Sequence, residues 1–204
     1  MSKSVYDESQ NNEIKIILVG DSGVGKTSLI NIVTGREFSE DERTTKGASF
    51  SMKKIKIDKE EYVLNIWDTI GQEKFRQLTK LFYNNSKIVI FVYDITKRET
   101  FDNLKYWAKD IQEQLGDKII KGVVANKIDL FFDEKVQSEE GKEYAALNRA
   151  KFIEFSAKND SSSGFEEFII ELVKEYLPNK VKNNNISLNK KNASKKKKNS
   201  NCCK

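Results

Sequence analysis

The chain predicts an α/β fold in which a mostly parallel six-stranded sheet carries helices on both faces. Three observations support this. Strand-like and helix-like runs alternate from residue 13 to residue 177. The run Ile88–Tyr93 is apolar throughout, as in a strand covered on both faces. A glycine-rich turn, Gly20-Asp21-Ser22-Gly23-Val24-Gly25-Lys26-Thr27, joins the first strand to the first helix.

In order, residues 1–12 are polar and read as a flexible lead-in. Glu13–Val19 is a short buried strand, and Thr27–Val33 has apolar residues at helical spacing. Glu37–Lys46 is charged and aperiodic, a loop. Ser49–Ile57 and Tyr62–Asp68 are strands joined as a hairpin through Asp58-Lys59-Glu60-Glu61. Glu73–Tyr83 reads as helix. After the Ile88–Tyr93 strand, Phe101, Leu104, Trp107, Ala108, Ile111 and Leu115 recur on one face, an amphipathic helix over Phe101–Leu115. Ile119–Ala125 is the next buried strand, Ser138–Leu147 a helix, Phe152–Phe155 a short strand, and Gly164–Leu177 a final helix. Pro178, the only proline, marks its end. Residues 13–177 form one domain, and 178–204 turn to Asn, Lys and Ser, a composition that cannot bury enough apolar surface to order itself.

Composition narrows the chemistry. With no histidine among 204 residues, mechanisms needing an imidazole are excluded. No apolar run reaches membrane-spanning length and no signal-peptide core is present. The two cysteines are adjacent, too few for a zinc site or a disulfide framework, which suits a cytosolic protein. The net charge of +5 conceals a division. Residues 178–204 hold nine lysines and no acid, so 27 of the 36 Lys+Arg and all 31 Asp+Glu lie in residues 1–177. The body is about −4 and the tail +9, which argues against a nucleic-acid groove on the folded part.

The turn at 20–27 fits G-x-x-x-x-G-K-[ST] between a strand and a helix. Such a loop cradles phosphate: glycines let backbone N–H groups of Asp21 to Ser28 face inward, and the helix N-terminus favours negative charge. Lys26 reaches the β- and γ-phosphates, and Thr27 offers a hydroxyl to Mg²⁺. A glycine-rich turn that binds nothing is the bland alternative. Asp68 ends a strand in Trp67-Asp68-Thr69-Ile70-Gly71-Gln72, where a carboxylate can hold Mg²⁺ through water. Gly71 allows an N–H close to the γ-phosphate, and Gln72 can orient a water for in-line attack. Asn126-Lys127-Ile128-Asp129 follows another strand. The carboxylate of Asp129 can accept from N1–H and the N2 amino group of guanine, donors that adenine lacks on that edge. Lys127 can lie along base and ribose, and the N–H groups of Ser156-Ala157-Lys158 can meet guanine O6. Together these elements point to GTP rather than ATP.

On these motifs the chain resembles a small GTPase of the Ras superfamily, with the P-loop NTPase fold, and most closely the Rab branch. The resemblance places Phe38 edge-on against guanine and makes Thr45 the switch I threonine that binds Mg²⁺ only in the GTP state. It makes Phe50, Trp67 and Phe82 the aromatic triad that faces effectors. Trp67-Asp68-Thr69, the strand ending Tyr93-Asp94-Ile95-Thr96 and the paired terminal cysteines are Rab-like. Gly47-Ala48-Ser49-Phe50 and the segment Asp110–Ile119 are similar to the early-endosomal Rab group. The resemblance implies slow GTP hydrolysis, GTP/GDP switching and effector recruitment in vesicular trafficking by a monomer. Its implied partners are an exchange factor, an activating protein and a prenyl-chaperone or GDI. Ile70 stands where the family has alanine, and Lys46 where it has isoleucine. Crowding by Ile70 is expected to slow hydrolysis further.

Asn201 stands fourth from the end, so the Ras-type prenylation box is absent, while Cys202 and Cys203 resemble the double geranylgeranylation ending of Rab proteins. Two lipid chains beside Lys195–Lys198 would anchor the chain stably to the cytoplasmic face of an intracellular, endosomal membrane. Two rivals stand beside this reading. One is a GTP-locked scaffold in which Ile70 has disabled turnover. The other is a phosphotransferase sharing the phosphate loop, against which Asn126-Lys127-Ile128-Asp129 argues.

Overall fold

The computed structural model describes residues 12–36, 49–69 and 81–178. Its strands are β1 (Glu13–Val19), β2 (Ser49–Ile57), β3 (Glu60–Asp68), β4 (Ile88–Asp94), β5 (Ile120–Asn126) and β6 (Lys151–Phe155). They form one sheet in the order β2-β3-β1-β4-β5-β6. β2 pairs antiparallel with β3, and every other pairing is parallel. The chain thus leaves β1 toward β3 on one side and returns to β4 on the other. That reversal opens a crevice beyond the carboxyl ends of β1 and β4, where ligands of such sheets gather.

Strand periodicity divides the apolar residues between two cores. Ile14, Ile16 and Leu18 face the layer that holds α1 (Lys26–Val33) and α5 (residues 162–178), packing with Leu29, Ile30, Phe165, Ile169 and Leu172. Ile17 and Val19 face α3 (Leu104–Leu115) and α4 (Ser138–Leu147), packing with Trp107, Ile111 and Ala145. Both faces of β1 and β4 are buried, so these strands read as apolar runs.

Most predicted elements are found within a residue or two. β2 and α4 have the predicted bounds, and α4 is preceded by Gln137, whose N–H donates to Glu140 Oε1 at 3.2 Å. One helix needs correction. The run expected over Phe101–Leu115 begins at Arg98 as α2 (Arg98–Asp102) and is interrupted at Asn103 before α3. The side chain of Asn103 is directed to Asp21, 82 residues earlier in the chain. A turn occupies residues 81–82, where the helix predicted over Glu73–Tyr83 would have ended; residues 73–80 lie outside the described part. A 3-10 segment, Ile128–Asp133, follows β5 without having been anticipated.

Candidate nucleotide site

The phosphate loop spans the crevice. Gly25 caps α1 with φ 97°, a left-handed conformation open to glycine, and Lys26 is the first helical residue. A Cβ at Gly25 would lie 2.2 Å from Asn126 Nδ2, so two loops meet here at a distance only glycine permits. Lys26 Nζ donates to the carbonyls of Gly20 at 2.9 Å and Asp21 at 2.8 Å, folding over the loop. Burial pushes its ammonium down to about 8, opposed by the nearby carboxylates of Asp68 and Asp21. A buried ammonium at a helix N-terminus makes the cradle strongly electropositive, the condition for holding an anion. Ser22 and Gly23 are exposed at the tip of the loop, whereas Val24 is buried beneath it. Ser28 lies one residue past Thr27 in the first turn of α1.

An aspartate inside an anion cradle calls for explanation. The carboxylate of Asp21 is held by α3: Trp107 Nε1 donates to Oδ1 at 2.8 Å and Asn103 Nδ2 to Oδ2 at 2.7 Å. The sequence pattern places Trp107 only on the apolar face of an amphipathic helix and gives Asn103 no role.

Thr27 Oγ1 donates to Asp68 Oδ2 at 2.6 Å. The end of β3 is fixed beside β1 by the parallel register Leu18↔Asp68 and by Thr69, whose hydroxyl donates to the Leu18 carbonyl at 2.6 Å. A threonine hydroxyl and a carboxylate, both hard oxygens and one of them anionic, form a donor pair suited to Mg²⁺.

Next to the loop lies a cavity of about 240 Å³ lined by Gly25, Ser28, Asn126, Lys127, Asp129, Leu130, Ala157 and Lys158. Asn126 ties its walls together: Nδ2 donates to the Val24 carbonyl at 2.7 Å, and Oδ1 accepts from Ala157 N at 3.3 Å. Lys127 takes a left-handed conformation, φ 68°, and its Nζ lies 2.6 Å from Asp94 Oδ2. Ser156 Oγ donates to Asp129 Oδ1 at 2.6 Å and orients that carboxylate. Ser156 is itself held, its N–H donating to Asp160 Oδ2 at 2.6 Å. Lys158 N and Asn159 N donate to Ser156 Oγ at 3.2 and 3.0 Å. Asp94, Leu130 and Asp160 join the site without having been singled out for it from the sequence.

Away from this cavity, Trp67 stacks on Phe50 with ring centroids 5.3 Å apart, and Phe82 lies 5.7 Å from Trp67. Phe50 is 54% exposed, so the cluster reaches the surface. Lys15 Nζ sits 4.4 Å from the Trp67 ring and donates to the Asn84 carbonyl at 3.0 Å. Phe38, Thr45, Lys46, Ile70, Gly71, Gln72, Cys202 and Cys203 lie outside the described residues, as do 1–11 and 179–204.

Comparison with known proteins bears on the same elements. The sequence profile of the Ras family matches residues 15–177. The chain is 38% identical over 160 residues to GTP-binding protein ypt3 of Schizosaccharomyces pombe, covering 78% of this chain and 75% of that one. It is 39% identical to human Ras-related protein Rab-22A over 160 residues, 78% of this chain and 81% of the relative. With Ras-related protein RabC of Dictyostelium discoideum it shares 38% over 179 residues, 86% and 91% of the two chains.

Proposed function

The chain belongs to the Ras family as a Rab-type small GTPase, which hydrolyses GTP and works in vesicle trafficking, and from that premise we propose how its residues divide the work. Lys26 and the N–H groups of Asp21 to Ser28 hold the phosphates. Thr27, Asp68 and, in the GTP state, Thr45 hold Mg²⁺, which when bound neutralises charge on the phosphate oxygens. The cavity beside Gly25 takes guanine. Asp129 accepts from N1–H and the N2 amino group, Lys127 lies along the base, and Phe38 packs on its edge. The bonds of Ala157 N and Lys158 N to Asn126 and Ser156 are 3.3 and 3.2 Å. Both lie at the long end of the usual N–H···O range, so guanine O6 can compete for the two donors.

Gln72 orients the attacking water and the Gly71 N–H meets the γ-phosphate. Loss of that phosphate releases the segments carrying Thr45 and Gly71, and effectors sense the change at Phe50, Trp67 and Phe82. Ile70 beside Gly71 slows turnover by crowding. An exchange factor, an activating protein and a prenyl-chaperone or GDI regulate the cycle. The monomer sits on the cytoplasmic face of an endosomal membrane through geranylgeranyl groups on Cys202 and Cys203, beside the basic tail.

The observation that carries the reading is Asp129, fixed by Ser156 at 2.6 Å on the wall of a cavity that opens onto the phosphate loop. A carboxylate so placed discriminates, because a base lacking both donors would leave its second oxygen, partly shielded from water, with nothing to accept from on the base. The test is to purify the chain without added nucleotide, identify what is bound, and follow single-turnover GTP hydrolysis beside Gln72→Leu and Ile70→Ala. Bound guanine nucleotide, conversion to GDP that stops in Gln72→Leu, and faster conversion in Ile70→Ala are expected. Bound GTP that persists equally in all three would replace the timed switch with a GTP-locked scaffold.

A further inference from the structure

Asp94 ends β4 directly across from the last residue of β5, in the register Asp94↔Asn126, and the Ile95 N–H donates to the Asn126 carbonyl at 3.1 Å. Its side chain is 1% exposed. One carboxylate oxygen, Oδ1, is taken by a two-residue turn, accepting from Thr96 N at 2.9 Å and Thr96 Oγ1 at 2.7 Å. The other, Oδ2, is given to Lys127 Nζ at 2.6 Å. Asp94 is not among the residues lining the guanine cavity, whereas Lys127 is.

Burying a carboxylate is costly, and a turn served by Thr96 alone needs only a neutral acceptor. The negative charge is therefore matched to the ammonium of Lys127. That lysine also holds a left-handed backbone, a conformation that costs a residue with a Cβ about 1 kcal/mol or more. Lys127 leaves the end of β5 while its ammonium is fixed at the end of β4. Its four-carbon stem is thus held at both ends and becomes a fixed wall of the cavity. A lysine free at its tip would have to lose rotamer freedom on each binding event.

We propose that Asp94 is a positioning residue for the base: by fixing the Lys127 ammonium it pre-sets the wall against which guanine packs, and so sets how long the nucleotide stays bound. The inference rests on the reading of the cavity as a guanine site. Asn at position 94 separates its two roles, since an amide oxygen still accepts from Thr96 while the amide nitrogen offers Lys127 nothing.

The experiment follows dissociation of a fluorescent GDP analogue from the full chain in Asp94→Asn, Lys127→Met and the double variant. Asp94→Asn should speed dissociation by up to about tenfold, because the released Lys127 side chain must then be ordered anew whenever the base is bound. Lys127→Met should do at least as much, and the double variant should be no faster than Lys127→Met alone. An unchanged rate in Asp94→Asn overturns the proposal. So does an effect that persists undiminished in the Lys127→Met background, because the turn alone would then explain it. Thr96→Val, which removes one of the donors fixing Asp94, is the second probe should Asp94→Asn not fold. It should give a smaller rise that vanishes with Lys127→Met, and a rise of equal size in both backgrounds counts against the proposal. Failure of the unsubstituted protein to hold the analogue would overturn the guanine reading itself, and is recognised because it needs no substitution.

Discussion

Trp107 Nε1 donates to Asp21 Oδ1 at 2.8 Å, so the second residue of the phosphate loop is fastened to α3. Trp107 is fully buried, and Asn103 Nδ2 holds the other oxygen at 2.7 Å. Two donors thus occupy a carboxylate that, released, would bring negative charge to an anion cradle. The helix interruption at Asn103 belongs to this arrangement, because the residue beginning the next helical segment also serves as one of the two donors.

Trp107→Phe should therefore weaken nucleotide binding as well as stability. It removes one donor and leaves the Asp21 oxygen in partly buried surroundings, a loss of about 1–3 kcal/mol. Asn103→Ala, nearer the surface, should cost less on both counts. Thermal unfolding together with GDP affinity measures the two effects; a Trp107→Phe protein that melts lower yet binds GDP as tightly would show that the tie serves only the core.

The Lys26 ammonium makes the site pH-dependent. Its folded value, pushed down to about 8 by burial, lies below the 10.5 of an unperturbed lysine. The nucleotide-free folded chain therefore loses this proton before the unfolded chain does, and its stability rises with pH between about 8 and 10.5. Phosphate at the ammonium favours the charged form and draws the proton back. GDP affinity should accordingly fall as pH rises above about 8, with net proton uptake on binding. Calorimetry near pH 8.5 in two buffers of different ionisation enthalpy reads that uptake directly, and it should disappear in Lys26→Met.

The parts of this site legible in the sequence are those carried by neighbouring residues. The phosphate loop, Asp68 and the Asn126–Asp129 run each combine a short spacing with the end of a strand. The ties between these loops were not legible. Asp21 and Trp107 are 86 residues apart, Val24 and Asn126 102 apart, and only the strand order brings them together. Asp94 was visible only as part of a Rab-like strand ending, since its pairing with Lys127 depends on the β4–β5 register. The break at Asn103 was hidden for the same reason: nothing in the local pattern interrupts the helix, and the partner lies on another strand's loop.

Asn126 joins the phosphate loop to the segment that begins at Ser156 through one side chain. Asn126→Ala leaves the Val24 carbonyl without that donor and should destabilise the nucleotide-free chain by about 1–3 kcal/mol. It should also speed GDP release, because both walls of the cavity lose their common support. Urea denaturation and GDP dissociation report the two effects separately. Release left unchanged at lowered stability would assign Asn126 to the fold alone.

Gly25 and Gly23 both have positive φ, 97° and 76°, yet substitution should separate them. A Cβ at Gly23 meets nothing within 4 Å, so Gly23→Ala carries backbone strain alone, about 1–2 kcal/mol, and should still fold. At Gly25 the new Cβ would press against Asn126 Nδ2 at 2.2 Å, displacing the amide that donates to Val24. Gly25→Ala combines that clash with strain at the cap of α1 and should lose measurable GDP binding. Equilibrium binding of a fluorescent GDP analogue beside circular dichroism distinguishes the two variants, and equal loss in both would mean that strain, not the contact with Asn126, governs the loop.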